Sequence, residues 1–265
     1  MSISLLKFNN DIMELIFHNI DDESYLIVGL TCKEMYKILK TLNPNIKLNG
    51  TCRYLTSNLN LFKYAHINMC DWTEKIIDII LKVKQQVDRL ECLKYAHENG
   101  FSFSEDTCNY AALCGNLECL KYLHENGSSW SEKTCDYAAY NGHLECLKYL
   151  HVNGCSFSDI ICDYATLNGH LECLKYLHVN GCPWSRFPCI FAAEKGYLEC
   201  LKYLHENGCP WSNDTCHEAA KNGQLECLKY AHENGCPWSA LTSKYAAYSG
   251  NLKCLKYARD NGCPE

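Results

Sequence analysis

The string Leu-Glu-Cys-Leu-Lys-Tyr begins at Leu90, Leu117, Leu144, Leu171, Leu198 and Leu225, and Leu-Lys-Cys-Leu-Lys-Tyr follows at Leu252. Each start lies 27 residues after the one before. A fixed period of this length marks a solenoid, in which a unit buries its apolar face only against its neighbours. A degraded eighth copy begins at Leu59, 31 residues before Leu90, so its connection to the next unit is four residues longer.

One unit shows how the period folds. Ser131 is an N-cap for the orphan amides of a first helix, and Trp130 before it is placed to staple onto Cys135. That helix runs to Asn141, where Gly142 supplies a left-handed stop. A second helix, from about His143 to Asn153, places Leu144, Leu147 and Leu150 or His151 at helical spacing, and Gly154 ends it. Helices this short are marginal alone, so each pair must stack on the next.

The 21 cysteines fall mostly into three columns: Cys108 to Cys216, Cys92 to Cys254, and Cys155 to Cys263 with Cys70. A zinc site wants closely paired spacings such as C-x-x-C, and the nearest regular pair here, Cys155 and Cys162, is seven apart. Identical columns in stacked helices stand about 8–10 Å apart, beyond the roughly 7 Å reach of a disulfide. The expectation is free thiols that pack as small apolar residues, with no metal and no cofactor. The histidine column from His97 to His232 serves the unit, through a hydrogen bond near the end of the second helix or into the neighbouring loop. Catalysis needs different groups converging once, so no enzyme is expected.

Net charge of −6 argues against a nucleic-acid binder. No apolar run approaches the ~18 residues of a membrane span, and the first residues lack the basic head of a secretion signal. The expected setting is therefore the cytoplasm, with no membrane or nucleic-acid partner and a monomeric chain.

Ala138-Ala139-Tyr140-Asn141-Gly142-His143-Leu144-Glu145, with Asn153-Gly154-Cys155, resembles the ankyrin repeat, and the resemblance runs over residues 90–265. The usual ankyrin period is about 33. The six residues missing here fall between one unit's second helix and the next unit's first, where ankyrin repeats project a β-hairpin finger. The resemblance thus implies an all-α, fingerless helix-turn-helix solenoid, of the kind expanded in large DNA viruses and some protists, where the setting would be the host cytoplasm. It also implies a protein partner.

Residues 8–39 do not repeat. Phe8-Asn9-Asn10-Asp11-Ile12-Met13-Glu14-Leu15-Ile16-Phe17, then Leu26 to Leu30-Thr31-Cys32-Lys33 and Tyr36, resemble an F-box. That resemblance implies docking onto a Skp-type adaptor of cullin–RING ubiquitin ligases through Phe8, Ile12, Leu15, Ile16, Leu26 and Leu30. The other reading is a cap over the first apolar face of the solenoid. The organisation expected is a head over 1–40, a connector with the degraded repeat over 41–89, and tandem repeats over 90–265.

The partner site is sought where the units disagree. Counting from Ser104, Ser131, Ser158, Ser185, Ser212 and Ser239, positions +1, +2, +5 and +9 vary freely, and +1, +5 and +9 form one stripe of the first helix. The expected contact residues are Tyr140, Ile160, Asp163, Leu167, Phe187, Ile190, Glu194 and His217, centred on the apolar Phe187 and Ile190. Pro188 could instead shift its helix and bury Phe187. The function expected is a protein-binding adaptor that presents its target to a ubiquitin ligase. The rivals are a plain scaffold and a cysteine-based metal or redox protein.

Overall fold

The computed structural model describes residues 89–264 together with positions 63 and 81. All six expected adaptor-docking residues, Phe8 to Leu30, lie outside the described residues. Thirteen helices and no strand are found among the described residues: α1 (Arg89–Glu98), α2 (Glu105–Leu113), α3 (Leu117–Glu125), α4 (Glu132–Tyr140), α5 (Leu144–Val152), α6 (Ile161–Leu167), α7 (Leu171–Val179), α8 (Pro188–Lys195), α9 (Leu198–Glu206), α10 (Asn213–Lys221), α11 (Leu225–Glu233), α12 (Ala240–Tyr248) and α13 (Leu252–Asp260). The expected all-α solenoid without hairpins is what forms. Contacts divide the chain into compact units 1–107 and 108–265, and the packing below is that of the second.

Within it the first helices α4, α6, α8, α10 and α12 pack side by side in chain order, and the second helices α3 to α13 do the same behind them. The seam between the layers is small and apolar. Cys135, Ala138 and Ala139 of α4 and Leu147 and Leu150 of α5 are fully buried, and the same positions are buried in the units that follow, except that in the last Ala247 is exposed and Leu255 half-buried.

Serine N-caps start the first helices, with a twist on the usual capping box. The Ser131 N–H donates to the Thr134 hydroxyl at 3.4 Å, so threonine does the work of glutamate at the third helical position. Ile161 and Pro188 replace that threonine in two units. Without the reciprocal bond α6 begins late and has seven residues, while Pro188, whose missing N–H costs nothing in the first turn, opens α8.

Two glycine stops are not equivalent. Gly142 and Gly154 both have positive φ, 73° and 88°. A Cβ on Gly142 would lie 2.4 Å from the His170 ring of the next unit, whereas one on Gly154 would meet nothing within 4 Å. Backbone conformation requires both, and close packing requires only the first.

The histidine column ties neighbouring units together. His124, His151, His178, His205 and His232 each share a hydrogen bond of 2.9–3.0 Å, through Nδ1, with the tyrosine hydroxyl of the next second helix. Each ring also lies against the Trp or Phe of its own unit's following loop, as His205 does on Trp211 at 3.8 Å. The expected structural role holds, with the next unit's helix, not a loop, as the partner.

The structure brings together cysteines that the spacing argument kept apart. Positions 20 residues apart meet inside one unit: Cys135 with Cys155, Cys162 with Cys182, Cys189 with Cys209, and Cys216 with Cys236. The pair forms because the loop after the second helix folds back under the first. No disulfide is formed among the described cysteines, and all of them but Cys114 are buried. The hydrogen bond with Cys155 and burial hold the Cys135 thiol far above the ordinary thiol range, and burial pushes Cys146 up to about 12.

Candidate functional site

The varying stripe splits into two kinds of position. Position +5 was expected to be solvated, and the structure corrects this. Asn109 and Asp163 are buried, and Asp136 is half-buried. The Thr134 hydroxyl donates to Asn109 Oδ1, the Ser158 hydroxyl to Asp136 Oδ1 and the Ser185 hydroxyl to Asp163 Oδ1, each at 2.6 Å. His217 Nε2 shares a 3.1 Å hydrogen bond with the Ser239 hydroxyl. Each side chain therefore braces the capping segment of the next first helix. Asp163 (7% exposed) and His217 (4% exposed) are struts beneath the surface that was expected to carry them. They vary because several polar residues can make one short bond, which sequence divergence alone does not distinguish from solvation.

The struts titrate accordingly. Burial raises the pKa of Asp136 and Asp163 above the ordinary carboxylate value, against the opposing pull of the serine hydroxyls. Burial lowers that of His217, opposed by Asp214 at 3.5 Å, which favours the neutral imidazole near pH 7.

Where a partner can reach, the face is made by positions +2, +6 and +9. Phe187 is 37% exposed, so Pro188 does not bury it, and its ring stacks on Phe191 at 5.8 Å with the Arg186 guanidinium 4.6 Å above. Phe187, Ile190, Phe191 and Glu194 form one end of a groove of about 460 Å³ that continues over α10 to Leu241 and Tyr245 of α12. A second recess of about 300 Å³ lies between Leu113, Tyr137, Tyr140 and Tyr164, with Lys133 and Asp136 at its edge.

Of the expected contact residues, the larger groove brings together Phe187, Ile190 and Glu194, with His217 in its floor, and the smaller recess takes Tyr140. Ile160 is 45% exposed and Leu167 half-buried, and neither lines either of these two grooves.

Family models described as ankyrin repeats match residues 135–215 and 162–236, and again 108–151 and 216–259. The chain is an ankyrin-repeat protein. The human ASB11 ankyrin repeat domain, known from its crystal structure, is similar at a TM-score of 0.52 and 21% identity, covering 59% of this chain and 83% of that one. At that identity the likeness shows the fold. No curated protein matches the sequence.

In these ankyrin repeats the +6 column supplies aromatic surface to both grooves, Tyr137 and Tyr164 to the smaller and Phe191 and Tyr245 to the larger. The rule that a repeated residue serves packing hides it. The usable signal was its +4 offset from the exposed +2 position, which puts both on one helix face.

Proposed function

We infer that the ankyrin repeats make this chain a protein-interaction scaffold. We propose that the first-helix face of residues 108–265 captures a protein segment, and that the head over 1–40, joined through 41–89, links the captured protein to a Skp-type ubiquitin-ligase adaptor in the cytoplasm, without enzymatic activity of its own. The single observation that carries the capture is Phe187. It is a large apolar side chain left open to solvent beside Phe191 at the mouth of a groove, at a position where three other units carry Asp106, Lys133 and Asp214 and two carry Ile160 and Leu241. Apolar anchors at the centre of such a surface carry much of an interface's energy, roughly 2 kcal/mol or more when truncated. The ubiquitin link is supported by the F-box resemblance of residues 8–36 alone.

The test is a double variant, Phe187→Ser with Ile190→Asp, compared with the parent for partner retention and melting temperature. Lost retention with melting within a few degrees supports capture. A melting temperature lowered by many degrees refutes it, because the two residues would then be core. Co-purification of the adaptor with the full chain, and its loss on deletion of 1–40, tests the link separately.

A further inference from the structure

Three neighbouring first helices present a charge pattern across the larger groove. At position +6 every unit carries an aromatic residue except one: Glu218, between Phe191 and Tyr245. At +2 the same helix carries Asp214, between Phe187 and Leu241. The groove therefore reads apolar over α8, acidic over α10 and apolar over α12. Glu218 Oε2 accepts from both Lys221 and Asn222, at 3.0 and 3.1 Å, while the exposed Asp214 has His217 as its neighbour at 3.5 Å. Of the three groove carboxylates, Glu194 is paired with Lys195 at 2.8 Å and Glu218 with Lys221 at 3.0 Å, and the Arg186 guanidinium stands over the Phe187 end. Exposed Asp214, facing the His217 imidazole, is therefore the uncompensated acid at the centre.

Geometry fixes the spacing of what fits. Packed helices stand about 8–10 Å apart, so the three bands recur at that interval along the stack. A polyproline II segment has three residues per turn and rises about 3.1 Å per residue, so its residues i, i+3 and i+6 share one face about 9.3 Å apart. A β-strand turns the residue at i+3 to the opposite face. A helix offers i and i+7 about 10.5 Å apart, beyond that interval, whereas about 9.3 Å falls inside it.

We propose that the groove over α8, α10 and α12 binds an extended, polyproline-II-like protein segment carrying a basic residue three positions from a large apolar residue on each side. This rests on the capture reading and adds the chemistry of the partner. The apolar residues meet the Phe187–Phe191 pair and the Leu241–Tyr245 pair, and the cation meets Asp214 and Glu218. Asp214 is the exposed acid the cation reaches, and Glu218, shared with Lys221, adds to the acidic band beside it.

Random nonapeptides displayed on phage, selected on the immobilised full chain and on the chain with Asp214→Lys and Glu218→Lys, test this directly. The parent is expected to enrich Arg or Lys flanked at i−3 and i+3 by large apolar residues. The reversed chain is expected to enrich Asp or Glu at the centre and to bind the parent's peptide at least tenfold more weakly by fluorescence anisotropy. Should the reversed chain fail to fold, Asp214→Asn with Glu218→Gln gives the weaker form of the same loss. Enriched peptides without a central cation, with a different apolar spacing, or identical on both chains would overturn the pattern while leaving capture standing. Peptides no better enriched on the parent than on a folded Phe187→Ser, Leu241→Ser chain would overturn both.

Discussion

Replacing Gly142 with Ala should cost several times what the same change costs at Gly154. Both residues sit in the left-handed region, at φ 73° and 88°, where an L side chain pays about 1–2 kcal/mol. The stiffer unfolded chain of an alanine variant returns about 0.4–1 kcal/mol of that. At Gly154 nothing else opposes the methyl group, so the expected net loss is about 1 kcal/mol. At Gly142 the new Cβ would stand 2.4 Å from His170 Nδ1 and 2.7 Å from its Cγ, and Cγ is too near the backbone to swing away. His170 must shift and release the Tyr140 backbone it bonds, at about 1 kcal/mol. Overpacking adds about 1–3 kcal/mol. The expected total at Gly142 is about 3–5 kcal/mol, set by these three costs together. Urea unfolding of the two variants, followed by helical signal with the slopes compared, measures the difference. Equal midpoint shifts would refute the claim that this glycine column is an inter-unit packing site.

Three further outcomes follow from other parts of the molecule. Because burial raises the pKa of Asp163, the folded chain holds its proton more tightly than the unfolded one. Stability is thus lost as pH rises from below the ordinary carboxylate value through the raised one. Asp163→Asn keeps an acceptor for Ser185, as Asn109 does for Thr134, so it should melt above the parent at pH 7 and with it at the acid end of the window; melting below the parent at pH 7 would contradict this. Among the described thiols only half-buried Cys114 should react quickly with a disulfide reagent in the native state, and rapid modification of the Cys135–Cys155 type of pair would show the units to be open. Ile190→Asp alone should shift stability by no more than about 1 kcal/mol, because Asp136 and Asp163 occupy the same position in neighbouring units and accept from the following serine; a larger thermal loss would mean that Ile190 is core.

The fold was legible because the period is exact in the chain and each unit carries its own start and stop signals. Ser131 and Gly142 bound α4 to within a residue, and Gly154 ends the second helix as its sequence implies. Contacts between units were less legible. The His151–Tyr176 bond and the Asp163–Ser185 bond join residues 25 and 22 apart, distances that follow from how helix pairs stack and from no local pattern. For the same reason the Cys135–Cys155 pair escaped a reading based on short spacings. The site was half legible. Variation marked Phe187 and Ile190, but it marked Asp163 and His217 as well, since a strut tolerates any short polar side chain. Repetition hid Phe191 and Tyr245, because a surface aromatic and a core aromatic repeat alike until the helix face is known.

Site-specific photo-crosslinking reads out whether partners are held on the first-helix face. Benzoylphenylalanine is placed in turn at position 187, in the groove, and at position 179, where the more exposed Val179 ends a second helix. After irradiation in the native cell, discrete adducts at 187 that vanish when Asp214→Lys and Glu218→Lys are added, with none at 179, are the expected result. Adducts at 179 with none at 187 would contradict it.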